Sequence, residues 1–178
     1  MHLYLTGYRG SGKSSVARAV GEALGVDVID LDDVIEQSAG RSIPEIFAAE
    51  GEAGFRDREA AALTQVAELP PSVVALGGGA ILRESNRERI RQTGRCVWLV
   101  ATAETLAARI AADEQNENGP QRPSLTQPGG NPADEVATVL QQREPHYTAA
   151  ADHQISVDQQ NIPEIAEQIL AWLDTQLS

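Results

Sequence analysis

Apolar residues fall along this chain in short runs that stop and restart. Leu3-Tyr4-Leu5, Val26 to Ile29, Val73 to Leu76, Val97 to Val100 and Ile155 to Val157 are bounded by polar or turn-forming residues, which predicts five strands. Between them the spacing becomes helical. After the first strand, Val16, Ala17, Val20 and Leu24 recur on one helix face, and Gly25 is placed to end that helix. Near the C-terminus Asn161 is placed to cap, Pro163 suits a first turn, and Ile165, Ile169, Leu173 and Leu177 form one stripe read as core packing. Strands alternating with helices predict βαβ crossovers: an α/β chain with a central five-stranded parallel sheet in a three-layer α/β/α arrangement. No internal repeat is visible.

One stretch follows neither period. Asp113 to Asn131, DEQNENGPQRPSLTQPGGN, is polar and carries three glycines and three prolines. A loop this long inside a compact domain is either a functional lid or a disordered segment. Asn131, Pro132, Asp134 and Glu135 then supply a helix start.

Length and charge narrow the function classes. A chain of 178 residues is of one-domain size and can bury a real core. Its formal charge of −12 disfavours nucleic acid and anionic membranes, both of which reward clustered cations, and leaves metabolite chemistry as the better fit. The single cysteine, Cys96, lies in an apolar run and reads as a buried strand thiol, in keeping with a reducing compartment. The chain opens directly into a strand, and no apolar run approaches membrane-spanning length, so a cytoplasmic protein is expected.

Lysine usage points to the chemistry. Of the 14 lysines and arginines only Lys13 is a lysine, and it stands in Gly7-Tyr8-Arg9-Gly10-Ser11-Gly12-Lys13-Ser14, a complete P-loop between the first strand and the first helix. The glycines let successive N–H groups point inward as an anion nest, and the helix adds the positive end of its dipole. Lys13 is suited to the β/γ-phosphates of a nucleoside triphosphate and the Ser14 hydroxyl to Mg²⁺. A second constellation follows the second strand, in Asp30-Leu31-Asp32-Asp33. If the strand continues through it, Asp30 and Asp32 share a face at the carboxyl edge of the sheet, one to support Mg²⁺ and the next to accept a hydroxyl proton. The alternative is that these acids cap the next helix, with Asp33 a candidate cap. His2, His146 and His153 have no metal-ligand spacing.

Further motifs follow in order: Gly40-Arg41-Ser42-Ile43-Pro44-Glu45-Ile46-Phe47, Gly51-Glu52-x-x-Phe55-Arg56-x-x-Glu59, Leu76-Gly77-Gly78-Gly79-Ala80, Arg122-Pro123 and Arg143-Glu144-Pro145-His146-Tyr147. With the P-loop and Asp-x-Asp, this ordered set closely resembles shikimate kinases over nearly the whole chain. The resemblance implies a P-loop NTPase with a nucleoside-monophosphate-kinase-like fold over residues 1–178, a mobile lid at about 113–131 and a substrate-binding helical segment at about 32–69. It implies ATP-dependent phosphorylation of the 3-hydroxyl of shikimate, with Mg²⁺. ATP contacts would fall to Gly10, Ser11, Gly12, Lys13, Ser14, Ser15 and Arg122; Mg²⁺ to Ser14 and Asp30; the acceptor to Asp32, Arg56, Gly77, Gly78, Gly79 and Arg143. Lys13, Asp32 and Arg122 would be catalytic. Two arginine forks suit a planar carboxylate. Glu59 is placed to hold Arg56, while Phe47 and Phe55 fit core packing as well as an acceptor pocket.

The sequence departs from the family at the lid, where Arg122-Pro123-Ser124-Leu125 stands in a longer insertion in place of Arg-Pro-Leu-Leu. Arg9 is open to phosphate, lid or solvent, and the segment after Arg109 and the loop near Val157 are candidate adenine walls. Rival readings are another small kinase, for gluconate or a nucleoside monophosphate, or a non-catalytic ATP-binding switch. A monomer is expected.

Overall fold

The computed structural model describes residues 1–115 and 131–177. Its elements alternate as the hydropathy pattern predicts: β1 His2–Thr6, α1 Lys13–Leu24, β2 Val28–Asp30, α2 Leu31–Ala39, α3 Ile43–Ala67, β3 Val73–Ala75, α4 Glu84–Thr93, β4 Gly94–Val100, α5 Ala103–Gln115, α6 Pro132–Ala150, β5 His153–Ser156 and α7 Ile162–Leu177. The strands form one parallel sheet in the order β2-β3-β1-β4-β5. The chain leaves central β1, runs to the edge at β2, returns through β3 and then crosses to β4. The carboxyl ends of β1, β2 and β3 therefore open onto the crevice where doubly wound sheets bind ligands.

Side-chain alternation builds two cores, one on each face of the sheet. Leu3, Leu5, Val73, Ala75, Val97 and Leu99 point to the face covered by Val16, Ala17 and Val20 of α1, Leu106 of α5, and Ile165 and Ile169 of α7. Tyr4, Val74, Leu76, Cys96 and Trp98 point to the opposite face, under Leu31 and Ile35 of α2, Ile46 and Leu63 of α3, Ile90 of α4 and Tyr147 of α6. Fully buried β1 and β3 read as continuous apolar runs because both their faces are covered.

The expected caps form. α1 ends at Gly25, where Val26 N–H donates to the Gly21 carbonyl at 3.1 Å. Asn161 and Glu164 exchange side-chain-to-backbone bonds of 2.9 and 3.0 Å at the start of α7, whose Ile165 and Ile169 enter the core with Leu173 beside them. The Leu177 side chain lies outside the described ones. Asn131 Oδ1 accepts from Ala133 N–H at 3.1 Å, beginning α6 where the sequence places it. The expected loop is shorter at its front: Asp113 to Gln115 form the end of α5. Its remainder, residues 116–130, lies outside the described residues.

Cys96 sits fully buried on β4, and the absence of water pushes its thiol far above the ordinary range. The native protein should therefore resist iodoacetamide at mildly alkaline pH and label stoichiometrically in denaturant. Labelling of the folded protein at the rate of a free thiol would contradict this burial.

Candidate active site

The phosphate side of the crevice is the turn between β1 and α1. Gly7, Gly10 and Gly12 have φ of 149°, 83° and 88°, so the loop uses backbone conformations that side-chain-bearing residues rarely adopt. Gly10, Ser11, Gly12, Lys13, Ser14 and Ser15 thus wrap the N-terminus of α1, where N–H groups and helix dipole favour an anion. Lys13 Nζ donates to the Gly7 and Tyr8 carbonyls at 2.9 Å each, which holds the ammonium against the loop. Arg109 on α5 bridges the Gly10 carbonyl, at 3.3 Å, and the Val157 carbonyl, at 3.1 Å. Arg109, which precedes one of the segments expected as adenine walls, thus reaches the other, near Val157, beside the phosphate loop.

Ser14 Oγ donates to Asp30 Oδ2 at 2.7 Å, bringing together the two oxygens expected to attend Mg²⁺. The reason for the pairing differs from the sequence expectation. β2 stops at Asp30, which is itself the N-cap of α2: its Oδ1 accepts from Asp32 N–H at 3.0 Å. Asp32 is thus in the first turn of a helix and does not share a strand face with Asp30, and the cap is Asp30 in place of Asp33. A helix turn separates the two carboxylates by role, one facing Ser14 and the other the cavity described below. Burial, with the nearby Asp30 and Glu36 carboxylates adding to it, pushes the Asp33 carboxyl upward. Among the described residues, no group of three or more His, Cys, Asp or Glu side chains is arranged to hold a metal. One hydroxyl and one carboxylate fit Mg²⁺, which keeps waters and commonly shares its remaining positions with phosphate oxygens.

Beside the P-loop is an open cavity of about 140 Å³ lined by Asp32 of α2, by Ile43, Phe47, Phe55, Arg56 and Glu59 of α3, by Gly77, Gly78 and Gly79 after β3, and by Arg143 of α6. Tyr8 and Arg9 of the phosphate loop complete it. Arg56 Nη1 donates to both oxygens of Glu59, at 3.1 and 2.9 Å, and Nη2 lies 3.5 Å from Glu52. Glu59 is only 1% exposed, and burial raises its carboxyl above the ordinary range while the Arg56 charge opposes that rise. A Cβ on Gly79 would collide with the Arg56 guanidinium, so the backbone there must be bare for the fork to lie across it. Arg143 reaches the Gly78 carbonyl at 3.5 Å, and its guanidinium carbon stands 5.7 Å from the centre of the Tyr8 ring. The arginines Arg9, Arg56 and Arg143 and the carboxylates of Asp32 and Glu59 therefore line one hollow.

The P-loop and this cavity share a wall. A Cβ on Gly78 would lie 3.4 Å from the Gly7 carbonyl and 3.6 Å from Arg9 N, so the loop after β3 rests directly on the P-loop. A molecule in the cavity is thereby next to whatever the P-loop grips.

Of the expected site residues, the cavity collects Asp32, Arg56, Gly77, Gly78, Gly79 and Arg143, while Ser14 and Asp30 pair beside it. Arg122 lies outside the described residues. Arg9, open between three readings in sequence, lines the cavity. Phe47 and Phe55 also face it, stacked with ring centres 4.5 Å apart. Two tyrosines were not among the expected site residues, although Tyr147 closes the motif that begins at Arg143. Tyr8 forms cavity wall, and buried Tyr147 donates to the Gly78 carbonyl at 2.7 Å while stacking on Trp98 at 5.2 Å. Burial pushes the Tyr147 phenol up to about 12, keeping it a neutral donor. The signal for Tyr147 was its place one helical turn after Arg143, which puts both on the face toward Gly78.

Comparison with known proteins supplies independent findings. A family model described as shikimate kinase matches residues 9–174. The chain is 52% identical over 169 residues to the shikimate kinase of Rhodopirellula baltica, covering 95% of this chain and 88% of that one. It is 39% identical over 173 residues to the shikimate kinase of Symbiobacterium thermophilum, covering 97% and 96%. Its structure matches that of the Acinetobacter baumannii shikimate kinase in complex with shikimate, with a TM-score of 0.88 and 35% identity over 98% of this chain and 93% of that one.

Proposed function

The chain belongs to the shikimate kinase family, and from that premise we propose that its cavity holds shikimate while its P-loop holds ATP, each residue acting as follows. The enzyme is a phosphotransferase: the bond between the γ-phosphorus of ATP and its bridging oxygen breaks, a bond from the shikimate 3-oxygen forms, and shikimate 3-phosphate and ADP leave. Lys13 and the amides of Gly10 to Ser15 bind the phosphates. Asp32 orients the 3-hydroxyl and takes its proton. Arg56 and Arg143 hold the carboxylate at the other end of the ring, with Gly77, Gly78 and Gly79 letting the backbone come close. Since the transition state is loose, positioning and charge carry the rate.

Ser14 and Asp30 would hold Mg²⁺, which when bound neutralises charge on the phosphate oxygens. The segment between α5 and α6 would act as the lid, from which Arg122 adds positive charge and helps exclude water that would otherwise hydrolyse ATP. The helical segment at about 32–69 is the acceptor-binding part of a single kinase domain. No helix among the described residues is long and apolar enough to cross a membrane, and the enzyme works in the cytoplasm on small molecules, as a monomer.

The shared wall between P-loop and acceptor cavity carries this reading, because it lets a positioned hydroxyl face a gripped phosphate. In a competitive turnover assay offering shikimate, gluconate and nucleoside monophosphates together, phosphate from ATP should pass predominantly to shikimate. Preference for either competitor, or ATP turnover indifferent to all three, would defeat the assignment.

A further inference from the structure

α3 is two helical limbs joined at a bend. Gly51 has φ 68° and ψ −174°, a combination open to little besides glycine, and it breaks the helix between Glu50 and Glu52. The first limb carries Phe47, and the second carries Phe55, Arg56 and Glu59. All four line the acceptor cavity. The angle at Gly51 therefore sets how far Phe47 stands from the carboxylate clamp, and the two phenyl rings stack across it.

A second feature spans the bend. Arg58 Nε donates to Glu50 Oε2 and Arg58 Nη2 to Glu50 Oε1, both at 2.7 Å. In a straight helix, residues 50 and 58 would be separated by about 12 Å along the axis. The bend brings them together, and the two-pronged bond in turn resists opening of the bend. Arg41, in the turn between α2 and α3, adds a longer contact to Glu50 at 3.9 Å, so the same carboxylate also ties that turn to the first limb. The fixed geometry of a guanidinium fork suits it to holding an angle, where a single lysine bond would swivel.

We infer that the Glu50–Arg58 pair is a positioning brace for the acceptor site: it holds the two limbs of α3 at the angle that places Phe47, Phe55 and Arg56 around shikimate. The inference rests on the function proposed above. Neither residue lines the cavity, so the brace acts through the limbs and leaves the phosphate loop alone. Its side chains are 34% and 28% exposed, so water and salt weaken it and the effect is modest.

The test compares the parent with Arg58→Met, Glu50→Gln, the double variant and Arg58→Lys, measuring kcat and KM for both substrates, with thermal melting alongside. Each single variant should raise the KM for shikimate about threefold, in line with an exposed but well-oriented ion pair. The KM for ATP and kcat should stay unchanged. The double variant should be no worse than either single one, and Arg58→Lys should fall between parent and Arg58→Met. The inference is overturned by an unchanged shikimate KM, by an equal rise in the ATP KM, or by single effects that multiply in the double variant. Should either single variant fail to fold, the other still reads the brace through its split between the two KM values. If the parent itself does not phosphorylate shikimate, the functional assignment fails; if it does and the variants match it, only the brace fails.

Discussion

Asp32→Ala is expected to lower kcat for shikimate phosphorylation by about 10²–10⁴-fold, the usual range for a positioned acid–base group, while ATP binding persists. The fold should survive the change. α2 is capped by Asp30, whose Oδ1 bonds to the backbone N–H of residue 32 and is indifferent to the side chain there. The Ser14–Asp30 contact is equally untouched. What is lost is the carboxylate that faces the cavity beside Gly77. Asp32→Asn separates two contributions, because an amide can still orient the hydroxyl but cannot take its proton. With a loose transition state, proton transfer lags behind phosphorus–oxygen cleavage and orientation matters early, so the Asn variant should retain more activity than the Ala variant. Calorimetric titration with ATP should give parent-like affinity in both. Normal turnover by Asp32→Ala would remove this residue from the chemistry.

The two ends of the site were legible in the sequence to different degrees, for physical reasons. The P-loop could be read because its chemistry is local: glycines, lysine and serine act within one turn, and the flanking strand and helix appear in hydropathy alone. The cavity proposed for the acceptor is not local. Asp32, Arg56, Gly79 and Arg143 meet only because the start of α2, the second limb of α3, the loop after β3 and the middle of α6 converge on one hollow, and no periodicity encodes that meeting. The resemblance to a family brought those residues together on paper, whereas the place of Tyr8 in the wall and of Tyr147 behind Gly78 needed coordinates. The Asp30–Asp32 pair shows the limit of period-two reasoning. Only Val28 and Ile29 precede Asp30 in the strand before it becomes a helix cap, and an aspartate at that point serves either element equally well in sequence. The long helical pattern from Ile43 to Ala67 likewise conceals the bend at Gly51, since a glycine inside a helix and a glycine that breaks one look the same until the backbone angles are known.

Removing Arg56 tests the carboxylate clamp, and here the neighbours decide how the result is read. Arg56→Ala should reduce kcat/KM for shikimate on the order of 10²–10³-fold, the scale for truncating one partner of a buried, hydrogen-bonded charge pair. Part of that loss belongs to Glu59, which would be left almost wholly buried without its guanidinium. Burial already raises the Glu59 carboxyl, so its ionised form costs the fold stability in full above the raised pKa, and the cost fades as pH falls toward the ordinary glutamate value. Loss of Arg56 would remove the charge that opposes this rise and enlarge the cost, so the variant should melt lower at neutral pH and recover relative to the parent as pH is lowered. A melting difference alone would therefore say nothing about substrate. The discriminating measurement uses an acceptor analogue whose carboxylate is reduced to a hydroxymethyl group. The parent should prefer shikimate to this analogue by about 10²-fold in kcat/KM, as expected for a charge-assisted fork, and Arg56→Ala should lose most of that preference. Arg56→Lys should resemble Ala more than the parent, because a lysine has one mobile ammonium where the site presents a planar fork lying across Gly79. Equal discrimination by parent and Arg56→Ala would mean that the guanidinium does not face the carboxylate, and would turn the acceptor around in the cavity.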